Sequence, residues 1–317
     1  MTDSPEPTPR TAPAEAAATP SLAHRFEFAA LRAVAGLVGL LGVDRASATM
    51  GAIWRLVAPR LSRHRRADEH LAAAMPQLSA AERRAILLAM WDNLGRTAAE
   101  GLLLPRLAAD RSRFTVDTTA LEPCRDAIAK GAVFASLHMG NWEFCGWGIH
   151  LAGFRVAAVY QPMKNPLAES FLRGLREPLY DAGIFPRERM TPIRLRTLVR
   201  QGVAVGMLAD LRDRSGIVAP FFGRPARLAT FPAVLARRLG VPLIVGRVVR
   251  TEGARFRLDA RPVEVPRTDD AEADIAAAAL AMHAVFEGWI AETPSQWMWA
   301  HRKWAFARAP EVDDGRD

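Results

Sequence analysis

From residue 66 to residue 104 apolar positions recur at helical spacing: Ile86, Met90 and Leu94 stand four apart, and so do Leu87 and Trp91. Ser79-x-x-Glu82 reads as a capping box ahead of this run, and Pro105 is expected to close it. Downstream the period shortens. β-prone runs at 132–137, 156–160, 203–209, 243–249 and 256–260 alternate with helical patterns at 167–182, 193–201 and 230–239. Near-continuous apolar strands separated by helices predict an α/β fold with a mixed, largely parallel sheet flanked by helices on both faces. A last Ala-rich helix over 270–293 precedes Trp297, Trp299 and Trp304.

The front of the chain follows a different pattern. Residues 1–21 carry five prolines, no apolar period and no basic leader, which reads as a disordered tail. Residues 22–43 are apolar but interrupted at Arg25, Glu27 and Arg32. A full span needs about 20 apolar residues, so this segment is expected to seat in a membrane, either in the interface or marginally spanning, with an ordinary buried helix as the alternative. Arg55, Arg60, Arg63, His64, Arg65 and Arg66 follow, suited to anionic headgroups. The expected organisation is a tail over 1–21, a helical region with the anchor over 22–110, one α/β domain over 111–306 and a flexible end over 307–317.

The charge sharpens this picture. Of 42 Lys and Arg residues only Lys130, Lys164 and Lys303 are lysines, so the net charge of +8 is an arginine charge, matched to phosphate and carboxylate. Two cysteines, Cys124 and Cys145, make no disulfide framework and no zinc spacing. A basic chain also suits nucleic acid, yet no helix-turn-helix or aromatic-basic strand motif supports that partner.

The chemistry gathers at FASLHMGNWEFCGWG, residues 134–148. An apolar strand runs out at Leu137 and His138 follows at once, at the carboxyl end where parallel sheets bind ligands. Glu143 comes five residues later, about 140° away on a regular helix. The two side chains therefore meet only if His138 precedes the helix, a bend that Gly140 and Asn141 permit. An imidazole oriented by a carboxylate can take a proton from a hydroxyl. No GxSxG elbow is present, and Cys145 is read as packing.

His138 and Glu143 with their surroundings resemble the acid–histidine motif of the glycerolipid acyltransferase superfamily, and more closely the late lipid A acyltransferase family. The similarity runs over residues 25–306 through HRRADEHLAAAMPQLSAAERR, SLHMGNWE, VYQPMKNPLAE, LADLRDRSGIVAPFFGRPA and PSQWMWAHRKW. It implies His138 as catalytic base and Glu143 as its acidic partner. Asp210 falls either beside the cleft or in a turn capping LRDRSG. Arg189 matches a basic position for a phosphate, which its neighbour Arg187 could also bind, unless both lie in a solvated loop; Phe221 and Phe222 match a block lining the acyl site, although core packing explains them almost as well. Where the family often has arginine this chain has Gln161, leaving Lys164 as the nearest cation. Trp297, Trp299, His301, Arg302 and Lys303 suit a headgroup-level seat, although the two indoles fit a core equally.

The resemblance further implies direct transfer of an acyl group from acyl carrier protein to a lipid A precursor at the cytoplasmic face of the inner membrane. No cofactor, metal or covalent enzyme intermediate is implied. A lysophospholipid or other glycolipid acceptor, or a non-catalytic lipid-binding role, is the alternative.

Overall fold

A computed structural model describes residues 20–188 and 190–304. The tail read over 1–21 lies outside the described residues apart from Pro20 and Ser21, and 307–317 and Arg189 lie outside them entirely.

Five helices come first: α1 (Leu22–Leu41), α2 (Val43–Val57), α3 (Ser62–Ala74), α4 (Ala80–Gly101) and α5 (Leu104–Ala109). The segment read as an anchor over 22–43 is helix α1 in nearly its whole length; Gly42 at φ 73° ends it, and Val43 already begins α2. The capping box is present: Ser79 accepts from the Glu82 amide and the Glu82 carboxylate accepts from the Ser79 amide, which satisfies two amides that the first turn leaves unpaired. Leu87, Met90, Trp91 and Leu94 are buried, as their spacing requires. Pro105 corrects the expectation. It occupies the first turn of α5, where its missing N–H costs nothing, and so opens a helix. Helix α2 lies close on α4 because position 95 has no side chain: a Cβ there would meet the Met50 carbonyl oxygen at 2.5 Å.

The rest of the chain runs β1 (Phe114–Asp117), α6 (Arg125–Ala129), β2 (Ala132–Ser136), α7 (Cys145–Leu151), β3 (Val156–Tyr160), α8 (Pro166–Arg176), β4 (Ile184–Pro186), α9 (Thr191–Arg200), β5 (Ala204–Leu208), β6 (Ile217–Phe221), β7 (Arg224–Leu228), α10 (Phe231–Leu239), β8 (Leu243–Glu252), β9 (Arg255–Val263) and α11 (Ala271–Glu292). Seven strands form one sheet in the order β1-β9-β8-β2-β5-β3-β4, parallel throughout except for the β8–β9 hairpin. Strands β6 and β7 make a separate antiparallel pair. The five strands read from the sequence are all present. The short edge strands β1 and β4 and the β6–β7 hairpin carry weaker patterns.

All five residues of β2 are buried, because each face of the sheet is covered. Val133 and Ala135 join a cluster with Leu195 of α9, Ala233 of α10 and Met282 of α11, while Phe134 meets Ile128 of α6 and Ile149 of α7 on the opposite face. Helix α11 is the one described helix long and apolar enough to cross a membrane. Its Met282, Phe286, Trp289 and Ile290 are buried against the sheet, so that apolarity serves the core. Helix α1 leaves Phe26, Leu37 and Leu40 exposed, with Leu40 86% accessible.

Candidate active site

Strands β2 and β5 are neighbours and parallel, with Ser136 opposite Leu208. Two residues beyond each stand His138 and Asp210, so the register that pairs the strands brings the two residues together at their carboxyl ends. The chain leaves β2 for β3 on one side and leaves β5 for β8 on the other, which opens a crevice at this point. His138 Nδ1 lies 2.8 Å from Asp210 Oδ1, and the His138 amide donates to Oδ2 at 3.0 Å. The Trp297 indole N–H also donates to Oδ2 at 2.8 Å. Asp210 is fully buried. Burial opposes its charge, but the His138 ring and these donors outweigh that cost and hold the carboxyl well below the usual carboxylate range. An ionised carboxylate only accepts, so neutral His138 carries its proton on Nδ1 and keeps the Nε2 lone pair free.

A strap formed by residues 294–304 braces this pair. Met139 bridges to Trp297, the Met298 amide donates to the His138 carbonyl at 3.2 Å, and Lys303 Nζ donates to the Asp210 carbonyl at 2.6 Å. The Lys303 ammonium also sits 4.4 Å from the Phe221 ring centre. Burial lowers its pKa to about 8 against the opposing pull of Asp210 and Glu287. The His138 ring is flanked by Trp142 at 5.2 Å and His301 at 5.3 Å. Burial, followed by the His138 charge, brings the His301 pKa down to about 4, so this neighbour is neutral at neutral pH. Gly140 turns the loop at φ 57°, where a Cβ would lie 1.9 Å from the Val248 carbonyl oxygen.

His138 opens onto a cavity of about 950 Å³ between the sheet and α7. Its apolar part is walled by Leu121, Phe134, Ile149, Ala152, Leu258 and Ala260. Gln161, Arg187, Arg212 and Arg214 line the polar part, and the three arginines are exposed. Glu143 and Arg176 stand in the wall as a bidentate pair, at 2.6 and 2.7 Å. Burial works against Arg176, but the hydrogen bond and charge of Glu143 prevail and raise its pKa. Cys145 Sγ, 3.0 Å from Ser136 Oγ, is pushed up to about 12 by burial and stays a thiol.

The predicted residues therefore separate. His138, Glu143 and Arg187 border one cavity, and Asp210 lies directly behind the histidine. The carboxylate that bonds the His138 ring is that of Asp210, and not that of Glu143. Glu143 enters a 3-10 turn (Trp142–Phe144) whose cap is Asn141, and Arg176 takes its carboxylate. Phe221 and Phe222 do not line the cavity. Phe221 is fully buried against Trp297, Trp304 and His283, and Phe222 packs on Trp299 from a positive φ of 51°. Lys164 is exposed outside the cavity lining, where Gln161 takes the wall position. Trp297, Trp299 and Lys303 are buried, which places them in the core and away from a headgroup layer; His301 is partly buried and Arg302 exposed. Arg176 was missed because it lies at the end of a helix 33 residues from its partner, with no local motif to mark it.

Fold and site together define an α/β protein with a histidine–aspartate dyad at the mouth of an apolar cavity. The chain belongs to the bacterial lipid A biosynthesis acyltransferase family, whose model matches residues 19–305. It is also similar to phosphatidylinositol mannoside acyltransferase of Mycobacterium tuberculosis, 28% identical over 188 residues. That match covers 56% of each chain, so it spans little more than half the length of the curated relative.

Proposed function

We propose that this chain moves a fatty acyl group from an acyl-carrier-protein thioester to a hydroxyl of a lipid A precursor. The observation that carries the proposal is the free Nε2 of His138, fixed by Asp210 at the junction of an apolar cavity and an arginine-lined mouth. The apolar part accepts the acyl chain. Nε2 takes the proton of the acceptor hydroxyl as its oxygen bonds to the thioester carbonyl carbon. The C–S bond then breaks, and the imidazolium returns the proton to the departing thiolate. Asp210 stabilises the imidazolium between these steps without being protonated itself. Arg176, held by Glu143, and the exposed arginines meet the phosphates of the acceptor.

A second reading keeps the chemistry and changes the acceptor to a mannosylated glycolipid, which the name of the mycobacterial relative favours. Purified protein is incubated with labelled acyl-carrier protein and each acceptor, and product mass is read. The lipid A precursor is expected to gain one acyl group. Label on the mannoside alone selects the second reading, and label on neither lipid, with wild-type protein folded, defeats both.

The membrane seat belongs to the same reading. Phe26, Leu37, Leu40, Leu56 and Leu61 are exposed along α1, α2 and the turn that follows. A groove of about 960 Å³ at Leu56, between α2 and α4, is lined by Arg55, Arg60, Arg83 and Arg84 together with Leu56 and Leu87. Exposed apolar side chains near arginines support a seat in the interface of an anionic bilayer, and the reading puts that seat at the cytoplasmic face of the inner membrane.

A further inference from the structure

Beneath the loop that carries His138 lies an ion pair shielded from solvent. Glu100 of α4 is fully buried and Arg250 of β8 nearly so, and the guanidinium clasps both carboxylate oxygens. A buried pair of this kind adds little stability, since apolar side chains of similar volume often do as well. Its neighbours show what else it holds. Glu100 accepts from Asn141 Nδ2 and Ser47 Oγ, both at 2.7 Å. Arg250 donates to Asn93 Oδ1 at 2.9 Å and to Thr97 Oγ1 at 3.4 Å. Asn93 and Thr97 in turn donate to the Gly140 carbonyl at 2.9 and 3.0 Å. The Gly140 amide is held by the Gln296 carbonyl at 3.0 Å, and the Gln296 side-chain amide clasps both backbone groups of Arg250 at 2.8 Å. Asn141 Oδ1 receives the Glu143 amide at 3.2 Å.

The Gly140 carbonyl and the Asn141 side chain thus trace back to one fixed pair of charges, while the Gly140 amide is tied through Gln296 to the backbone of Arg250. We propose that Glu100 and Arg250 are positioning residues: they lock the loop 139–143 and thereby place the base at one end of it and the Glu143–Arg176 pair at the other. Neither residue lines the cavity, so their effect passes through the loop. The inference rests on His138 as the base.

The test separates stability from turnover with Glu100→Met/Arg250→Met and each single variant. Each single variant strands a buried charge and should lower Tm and kcat together. The double variant should recover Tm to within a few degrees of wild type but leave kcat on lauroyl-carrier protein and a bisphosphorylated lipid A precursor about 10- to 100-fold down, with KM within about threefold. Recovery of kcat alongside Tm would show a merely structural pair and overturn the proposal. If the double variant does not fold, Thr97→Val serves: it keeps the shape, removes one donor to Gly140, and should cost about 3- to 10-fold in kcat, whereas wild-type turnover would overturn the proposal. Amide hydrogen exchange over 138–144 gives a readout independent of the substrate. It should accelerate at least tenfold in whichever variant folds, and unchanged protection again overturns the proposal. A His138→Ala protein that keeps turning over would instead sink the base assignment, whatever the exchange shows.

Discussion

Asp210 and His138 are joined twice, carboxylate to imidazole and carboxylate to amide, across adjacent strand ends 72 residues apart in the chain. The double contact fixes both the ring and the backbone that carries it. Asp210→Asn presents an amide in place of an acceptor and disfavours the tautomer with Nε2 free. We expect kcat to fall by about two to four orders of magnitude, by analogy with the loss of the equivalent aspartate in serine proteases, while circular dichroism stays unchanged. Turnover within threefold of wild type would remove Asp210 from the mechanism.

Glu143 predicts a different phenotype. Because its carboxylate holds Arg176, Glu143→Gln should release the guanidinium and raise KM for a phosphorylated acceptor by about tenfold, leaving the acidic limb of the kcat profile where it was. Arg176→Met should do the same, and the double variant should cost little more than either alone. A collapse of kcat equal to that of Asp210→Asn would return Glu143 to the role of orienting the ring.

Acid should weaken the fold in a defined window. Burial lowers His283 to about 3 and His301 to about 4 from 6.5, so both are neutral in the folded chain where the unfolded chain protonates them. The unfolded state binds more protons below pH 6.5, and stability therefore falls as pH drops from about 6.5 towards 4, by up to about 1.4 kcal/mol per pH unit for each group. Asp210 adds a further loss at still lower pH as its depressed carboxyl protonates. Urea titrations at pH 7 and pH 5 check the slope, and His283→Gln should flatten it. A midpoint independent of pH across this range contradicts the burial argument.

The exposed stripe of α1 makes a prediction for vesicles. Leu37→Asp/Leu40→Asp should shift the protein out of the floating fraction with phosphatidylglycerol vesicles while thermal stability holds, since both side chains are already solvent-facing. Undiminished flotation would move the membrane contact elsewhere on the surface.

Much of this molecule could be read from the chain, and what could not has a common cause. Patterns carried by consecutive residues were legible: the five interior strands, the α4 face through Leu87, Met90, Trp91 and Leu94, and His138 at a strand end. Contacts made by register were not. Asp210 reaches His138 because Leu208 aligns with Ser136, a relation that no local spacing encodes. Glu143 stood near in sequence and drew the orienting role, yet its carboxylate answers to Arg176 from a distant helix. Phe221 and Phe222 misled for a similar reason, since an aromatic pair reads alike whether it lines a cavity or, as here, buttresses the tryptophans behind it. Pro105 is ambiguous in principle, as proline both follows one helix and begins the next.

The strap has a bearing on how the protein is born. Trp297 and Lys303 reach Asp210 from 87 and 93 residues further along. At translation rates of about 5–20 residues per second, roughly 4 to 17 s pass between synthesis of the aspartate and synthesis of the indole that steadies it. A nascent chain on the ribosome therefore carries its histidine and aspartate for several seconds before the indole and ammonium that brace them have been made.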